Sequence, residues 1–138
     1  MTTKEYLQQI YIIHKKITRL EERRQQIRAE MYGTRSPAGQ MGDRVQTSMS
    51  GDAMLNLIAK VDRIERDIVY EKDALLDAQS RIIRQIESVP DEKQKDVLFK
   101  RYVCFKRWEQ IAVDMNLTVR YVYMLHGDAL KSFSKIIG

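Results

Sequence analysis

Cysteine, proline and long apolar runs are nearly absent from this 138-residue chain, and each absence excludes something. The single cysteine, Cys104, removes any intramolecular disulfide framework and any cysteine-rich zinc site. Two histidines, His14 and His126, lie far apart in sequence, which argues against a histidine-based metal site. No stretch approaches the roughly 18 consecutive apolar residues that span a bilayer, so no membrane partner is expected. The opening MTTKEYLQQIYIIHKK lacks a continuous apolar core followed by a small-residue cleavage site. It is not expected to be a secretion signal, and the expected location is cytoplasmic. No nucleophile–base pair, carboxylate dyad or metal-ligand spacing stands out, so no enzyme activity, catalytic residue or cofactor is expected. Cys104, between Val103 and Phe105, reads as a packing residue.

What the chain does contain is charge and helical periodicity. Charged residues make up 31%, which fits a folded protein with a large solvated surface. The 24 Lys+Arg exceed the 19 Asp+Glu by five, a mild pointer to a polyanionic partner. Residues 1–89 hold 15 basic against 13 acidic side chains, and residues 90–138 hold 9 against 6, so the excess leans toward the C-terminal third.

From Tyr6 to Met31, Ile10, Ile13, Ile17, Leu20, Ile27 and Met31 follow the alternating three–four spacing of a heptad seam, with Arg24 its one polar occupant. This predicts a long helix that covers its apolar strip with a partner helix. A second such helix runs from about Asp52 to Ser88. Met54, Val61, Ile68, Leu75 and Ile82 stand seven apart, Leu57, Ile64 and Ala78 fill the alternate positions, and Glu71 and Gln85 interrupt the seam. The simplest arrangement is an antiparallel hairpin. It would bring His14 close to Glu71, a polar pair read as a registry device rather than a proton-transfer site.

The joining segment, Gly33 to Gly51, holds four of the six glycines and one of the two prolines. It contains no GxGxxG and no Gly-Lys-Ser/Thr, so a phosphate-cradling loop is not supported, and it reads as a flexible hairpin tip. A short extended piece is expected near Asp43–Ser48.

Pro90 is expected in the first turn of a new helix, and three short helices can be drawn after it. The first spans Asp91 to about Tyr102 and buries Val97, Leu98 and Tyr102. The second spans Arg107 to about Met115, with Trp108, Ile111, Ala112 and Met115 on one face. Asn116-Leu117-Thr118 makes a tight turn, Asn116 suiting a left-handed C-cap and Thr118 an N-cap. The third runs from Val119 to about Lys135, with Val122, Leu125, Ala129, Leu130 and Phe133 at core spacing. Small Ala112 lets the third helix approach the second, and the short turn sends it off at a steep angle. That is helix-turn-helix geometry, although a plain three-helix core satisfies the same spacing. The fold class read from these patterns is all-α: a coiled-coil-like helical hairpin over residues 1–88, then a helix-turn-helix domain over 89–138.

Val89-Pro90, Val97-Leu98, Arg101-Tyr102, Trp108-Glu109, Ile111-Ala112, Leu117-Thr118, Val122, Leu125, Ala129-Leu130 and Phe133 together resemble region 4 of primary-type sigma factors. The likeness covers about the last third of the chain. More widely, the chain is similar to small phage proteins related to the ArpU- and RinA-type late transcription regulators, including a loop resembling Val45-Gln46-Thr47-Ser48. The resemblance implies a phage or prophage DNA-binding transcription regulator working in a bacterial host. Double-stranded DNA would be its partner; in a close variant the sigma-like module touches RNA polymerase instead of reading DNA strongly.

Where such factors begin the recognition helix with polar, base-reading residues, this chain has Val119, Arg120, Tyr121, Val122, Tyr123 and Met124. The groove-facing candidates implied are therefore Val119, Arg120, Tyr123 and Met124. Arg120 would pair with guanine, and Val119 and Met124 would touch thymine methyls. Thr118, Arg107 and Lys131 become the implied phosphate clamps. So few cations imply weak, salt-sensitive binding per subunit. A homodimer joined through the heptad helices is expected to remedy this. The alternative is a non-enzymatic adaptor that binds RNA polymerase, or serves phage DNA packaging or assembly, on the same fold.

Overall fold

A computed structural model describes residues 1–33 and 50–138. The expectations for the Gly33–Gly51 loop, including the extended piece and the Val45–Ser48 likeness, fall on residues 34–49 and lie outside the described residues. Among the described residues every regular element is helical, an all-α architecture.

α1 (Thr3–Leu7) starts with a reciprocal cap. The Thr2 hydroxyl accepts from the Glu5 amide at 3.1 Å, and the Thr2 amide donates to the Glu5 carboxylate at 2.7 Å. α2 (Gln9–Tyr32) and α3 (Gly51–Glu87) are the two long helices. Ser50 starts α3 by accepting the Ala53 amide at 3.1 Å. α4 (Glu92–Leu98) begins at an Asp91 cap whose carboxylate accepts from Gln94 at 3.0 Å. Pro90 therefore precedes the cap instead of occupying the first helical turn.

The helix expected to reach Tyr102 changes form after Leu98. Phe99–Val103 is a wide π-type turn, in which the Phe99 carbonyl accepts from Cys104 at 3.1 Å and that of Lys100 from Lys106 at 3.0 Å. Phe105 follows with a φ of 57°, rare for a bulky residue. This reversal turns Cys104 outward, so the thiol expected to pack is exposed. α5 (Trp108–Met115) and α6 (Val119–Ile137) complete the chain.

By compactness the chain divides into two units, Lys15–Lys72 and Met1–His14 with Asp73–Gly138. In the first, Ile17, Ile27, Val61 and Ile68 are buried, all at seam positions. The polar seam residues there are paired: Lys16 with Glu71 at 3.1 Å, and Arg24 with Glu65 at 3.5 Å. Arg28 joins Glu65 at 2.9 Å.

In the second unit one apolar cluster holds Leu7, Ile10, Ala78, Ile82, Ile86 and Val89 together with Val97, Leu98, Tyr102, Ile111, Val122, Ala129 and Phe133. The three C-terminal helices thus share their core with α1, the start of α2 and the end of α3. Gln85, which interrupts the heptad seam, accepts a 2.7 Å hydrogen bond from the Tyr6 hydroxyl. The His14 ring packs against Phe105 at 5.3 Å between centroids.

Candidate nucleic-acid interface

Three residues join α5 to α6, and their conformations end one helix and start the other. Asn116 is left-handed (φ 57°, ψ 46°), which asparagine tolerates better than most side chains. The Leu117 amide donates to the Ala112 carbonyl at 2.9 Å and the Asn116 amide to Val113 at 3.1 Å, closing the last turn of α5. Thr118 is extended, and its hydroxyl accepts from the Tyr121 amide at 3.1 Å, opening α6. Both caps fall where the residue types call for them.

α6 buries Val122, Leu125, His126, Ala129 and Phe133. Its 3.6-residue period then puts Arg120, Met124 and Lys131 along the opposite face, and all three are exposed. Among the described residues neither Arg120 nor Lys131 is held in an ion pair. Tyr123 is half exposed and stands edge-on to Trp108 at 5.3 Å. Val119 differs from its neighbours: its side chain is partly covered by the core cluster, which leaves less of it to meet a thymine methyl. Thr118 is exposed, with its hydroxyl engaged as the cap. Arg107 is the N-cap residue of α5, well exposed and 3.8 Å from Glu109, which tempers its charge. The structure therefore gathers Arg120, Met124 and Lys131 on one face, sets Tyr123 and Thr118 beside them, and leaves Arg107 on the other helix.

Charge near the turn is locally neutralised. Lys106 reaches Asp114 at 2.6 Å, and Gln110 donates to the same carboxylate at 2.8 Å. These hydrogen bonds hold the Asp114 carboxyl below the usual range and push the Lys106 amine up.

Sequence reasoning missed the polar centre beneath this surface. The Tyr102 hydroxyl and His126 Nε2 lie 2.7 Å apart in a buried hydrogen bond. Trp108 meets His126 edge-on at 4.6 Å, and the Arg101 guanidinium sits over the Trp108 ring at 4.3 Å. Arg101 is fixed in turn by donating to the Lys106 carbonyl at 2.9 Å. Burial, with Lys4 and Arg101 adding to it, pulls the His126 pKa from 6.5 down to about 4. Burial pushes Tyr102 up to about 12. Both side chains are thus neutral near pH 7. The signal was available: His126 lies four residues after Val122 and three before Ala129, on the buried face.

Among the described residues no group of three or more His, Cys, Asp or Glu could hold a metal ion. An aromatic-walled cleft of about 320 Å³ lies between Gln8, Tyr11, Arg101, Tyr102 and Phe105. No helix among the described residues is long and apolar enough to cross a membrane. No protein-family model matches the chain, and comparison with curated proteins and with solved structures finds no match.

Proposed function

We propose that this chain is a phage or prophage DNA-binding transcription regulator that acts in a bacterial host cell without enzymatic activity. In this reading α5, the Asn116–Thr118 turn and α6 form a sigma region 4-like helix-turn-helix, with α6 entering the major groove. One observation carries the reading. A three-residue turn, closed by a left-handed Asn116 and a Thr118 cap, delivers a helix whose outward face bears Arg120, Met124 and Lys131, its cations held in no ion pair among the described residues. Arg120 suits guanine, Tyr123 and Met124 suit apolar base edges, and Lys131, Thr118 and Arg107 suit phosphates.

The α2–α3 pairing supports an antiparallel hairpin over the N-terminal part, since Lys16 meets Glu71 while the later Arg28 meets the earlier Glu65. That hairpin serves dimerisation or contact with RNA polymerase. A second reading, a protein-interaction adaptor, is favoured by the exposed Leu55, Ile58, Val69 and Tyr70 on α3.

Selection of bound sequences from a random duplex pool at two salt concentrations tests the choice. A regulator enriches a defined site and loses affinity steeply with salt. Arg120→Ala is expected to relax the selected sequence at one position, whereas Lys131→Ala weakens binding to all duplexes alike. No enriched site, with both variants behaving as the parent at low salt, moves the assignment to the adaptor.

A further inference from the structure

The outward face of α6 contains a glycine that nothing among the described residues requires. Gly127 is fully helical and exposed, its φ is ordinary, and a Cβ built on it meets nothing among the described residues within 4 Å beyond the adjoining helix backbone. Glycine in a helix interior is nevertheless unfavourable relative to alanine, because it gives up more backbone freedom on folding. Among the described residues no tight packing, turn or strained backbone offsets that cost here.

Its place on the helix suggests what does. Gly127 follows Arg120 and Met124 on the same face and precedes Lys131 by one turn. A helical side chain leans toward the N-terminus and covers the turn before its own Cα. The side chain that Gly127 lacks would therefore lie over Tyr123 and Met124, which are 50% and 58% exposed. Its absence leaves those two residues uncovered, between Arg120 toward the start of the helix and Lys131 toward its end.

We infer that Gly127 is a close-approach position: it lets the edge of a DNA major groove sit against the α6 backbone, so that Tyr123 and Met124 reach the bases while Arg120 and Lys131 flank them. The cations at the two ends, with Lys135 beyond and Asp128 as the one acid on the helix, fit a polyanionic occupant better than an acidic or apolar protein surface. The inference rests on the DNA-binding reading and deepens it.

The test uses the full chain with Gly127→Ala and Gly127→Gln, and as probe the duplex recovered from the random pool, or mixed-sequence duplex at low salt if none is recovered. The Cβ of either substitution enters open space, and both improve helix propensity, so thermal midpoints are expected to rise by a few degrees. Duplex affinity is expected to fall in order of size, slightly for Ala and by about tenfold for Gln, a loss comparable with one mismatched base pair. Because no charge changes, the slope of log affinity against log salt stays that of the parent, whereas Lys131→Ala lowers it by about one. A more stable protein that binds less tightly cannot be explained by misfolding. If the parent binds duplex and both Gly127 variants bind it equally well, the close-approach role is wrong, and the regulator reading stands wherever the pool has returned an enriched site. If the parent binds no duplex, the regulator reading itself fails and the inference falls with it.

Discussion

The Tyr102 hydroxyl and the His126 ring share one buried hydrogen bond of 2.7 Å, and it links the π-type turn to the middle of α6. Trp108 packs on the same imidazole, so α5 joins the link. Three elements around the candidate interface are therefore registered by a polar contact whose loss would strand buried donors or acceptors. Its partners are directional, unlike the apolar side chains around them, and so specify where α6 stops sliding along its neighbours.

Stability should fall with acid over a window set by His126. The ring's pKa is lowered from 6.5 to about 4 in the folded protein. Between those values the unfolded chain takes up a proton that the folded chain refuses, so stability is complete above pH 6.5 and declines as pH drops. The loss by pH 4 is on the order of 2 kcal/mol, after discounting for residual solvent contact at the ring. Denaturant midpoints at pH 7.5, 6 and 5 check this, since most carboxylates begin to titrate only below that range. His126→Gln should flatten the parent's slope; parallel curves for the two proteins would show that the histidine does not titrate as its burial implies.

Asn116 should discriminate sharply between replacements. At φ 57° a β-branched side chain clashes with its own backbone, so Asn116→Val is expected to cost about 2 kcal/mol or more. Asn116→Gly removes the clash but adds freedom to the unfolded chain, and should lie within about 1 kcal/mol of the parent. Urea melts rank the three. Equal loss from Gly and Val would mean that the Asn116 side chain, not its backbone angle, holds the turn.

The C-terminal helices should depend on the first residues of the chain. Leu7 and Ile10 are fully buried in the same cluster as Val97, Val122 and Phe133. Leu7→Ala is therefore expected to cost about 2–5 kcal/mol. A fragment of residues 89–138, stripped of Leu7, Ile10, Ala78, Ile82 and Ile86, should show weak, non-cooperative thermal unfolding by circular dichroism. A cooperative transition near that of the full chain would show that the three helices form a sufficient core alone.

Helix faces were legible in the sequence because periodicity reports them directly. Each heptad position named in α2 and α3, from Ile10 and Ile17 to Val61, Ile68 and Ile82, is buried or partly buried. The Asn116 and Thr118 caps were legible for a local reason: both depend only on residue type and the adjoining backbone. What could not be read was tertiary pairing. Tyr6 with Gln85 and Tyr102 with His126 join residues 79 and 24 positions apart, and no local rule selects those partners. The π-type turn escaped for another reason, since Phe99–Val103 carries the residue types of an ordinary helix and no glycine or proline marks the change. Cys104 departs from its expectation as a result: its apolar neighbours predict packing, and the reversal at Phe105 leaves it exposed.

Trp108, the only tryptophan in the chain, should report engagement of the candidate interface. Its ring meets Tyr123 at 5.3 Å on one side and lies under Arg101 at 4.3 Å. If Tyr123 moves onto a base edge, the indole loses an aromatic neighbour and gains contact with water or nucleic acid, so its emission must change in wavelength or intensity. Titration with the selected duplex is therefore expected to give a saturable fluorescence change with the same midpoint as binding measured by anisotropy of labelled DNA. Tyr123→Ala should alter the free protein's emission at the outset and remove most of the response, while leaving stability within about 0.5 kcal/mol because the side chain is half exposed. Arg101→Met, which keeps the stem but removes the cation over the ring, separates the two contacts: it should shift the baseline yet preserve the DNA-dependent change. Binding seen by anisotropy without any change at Trp108 would place the bound duplex away from Tyr123, and with it away from this face of α6.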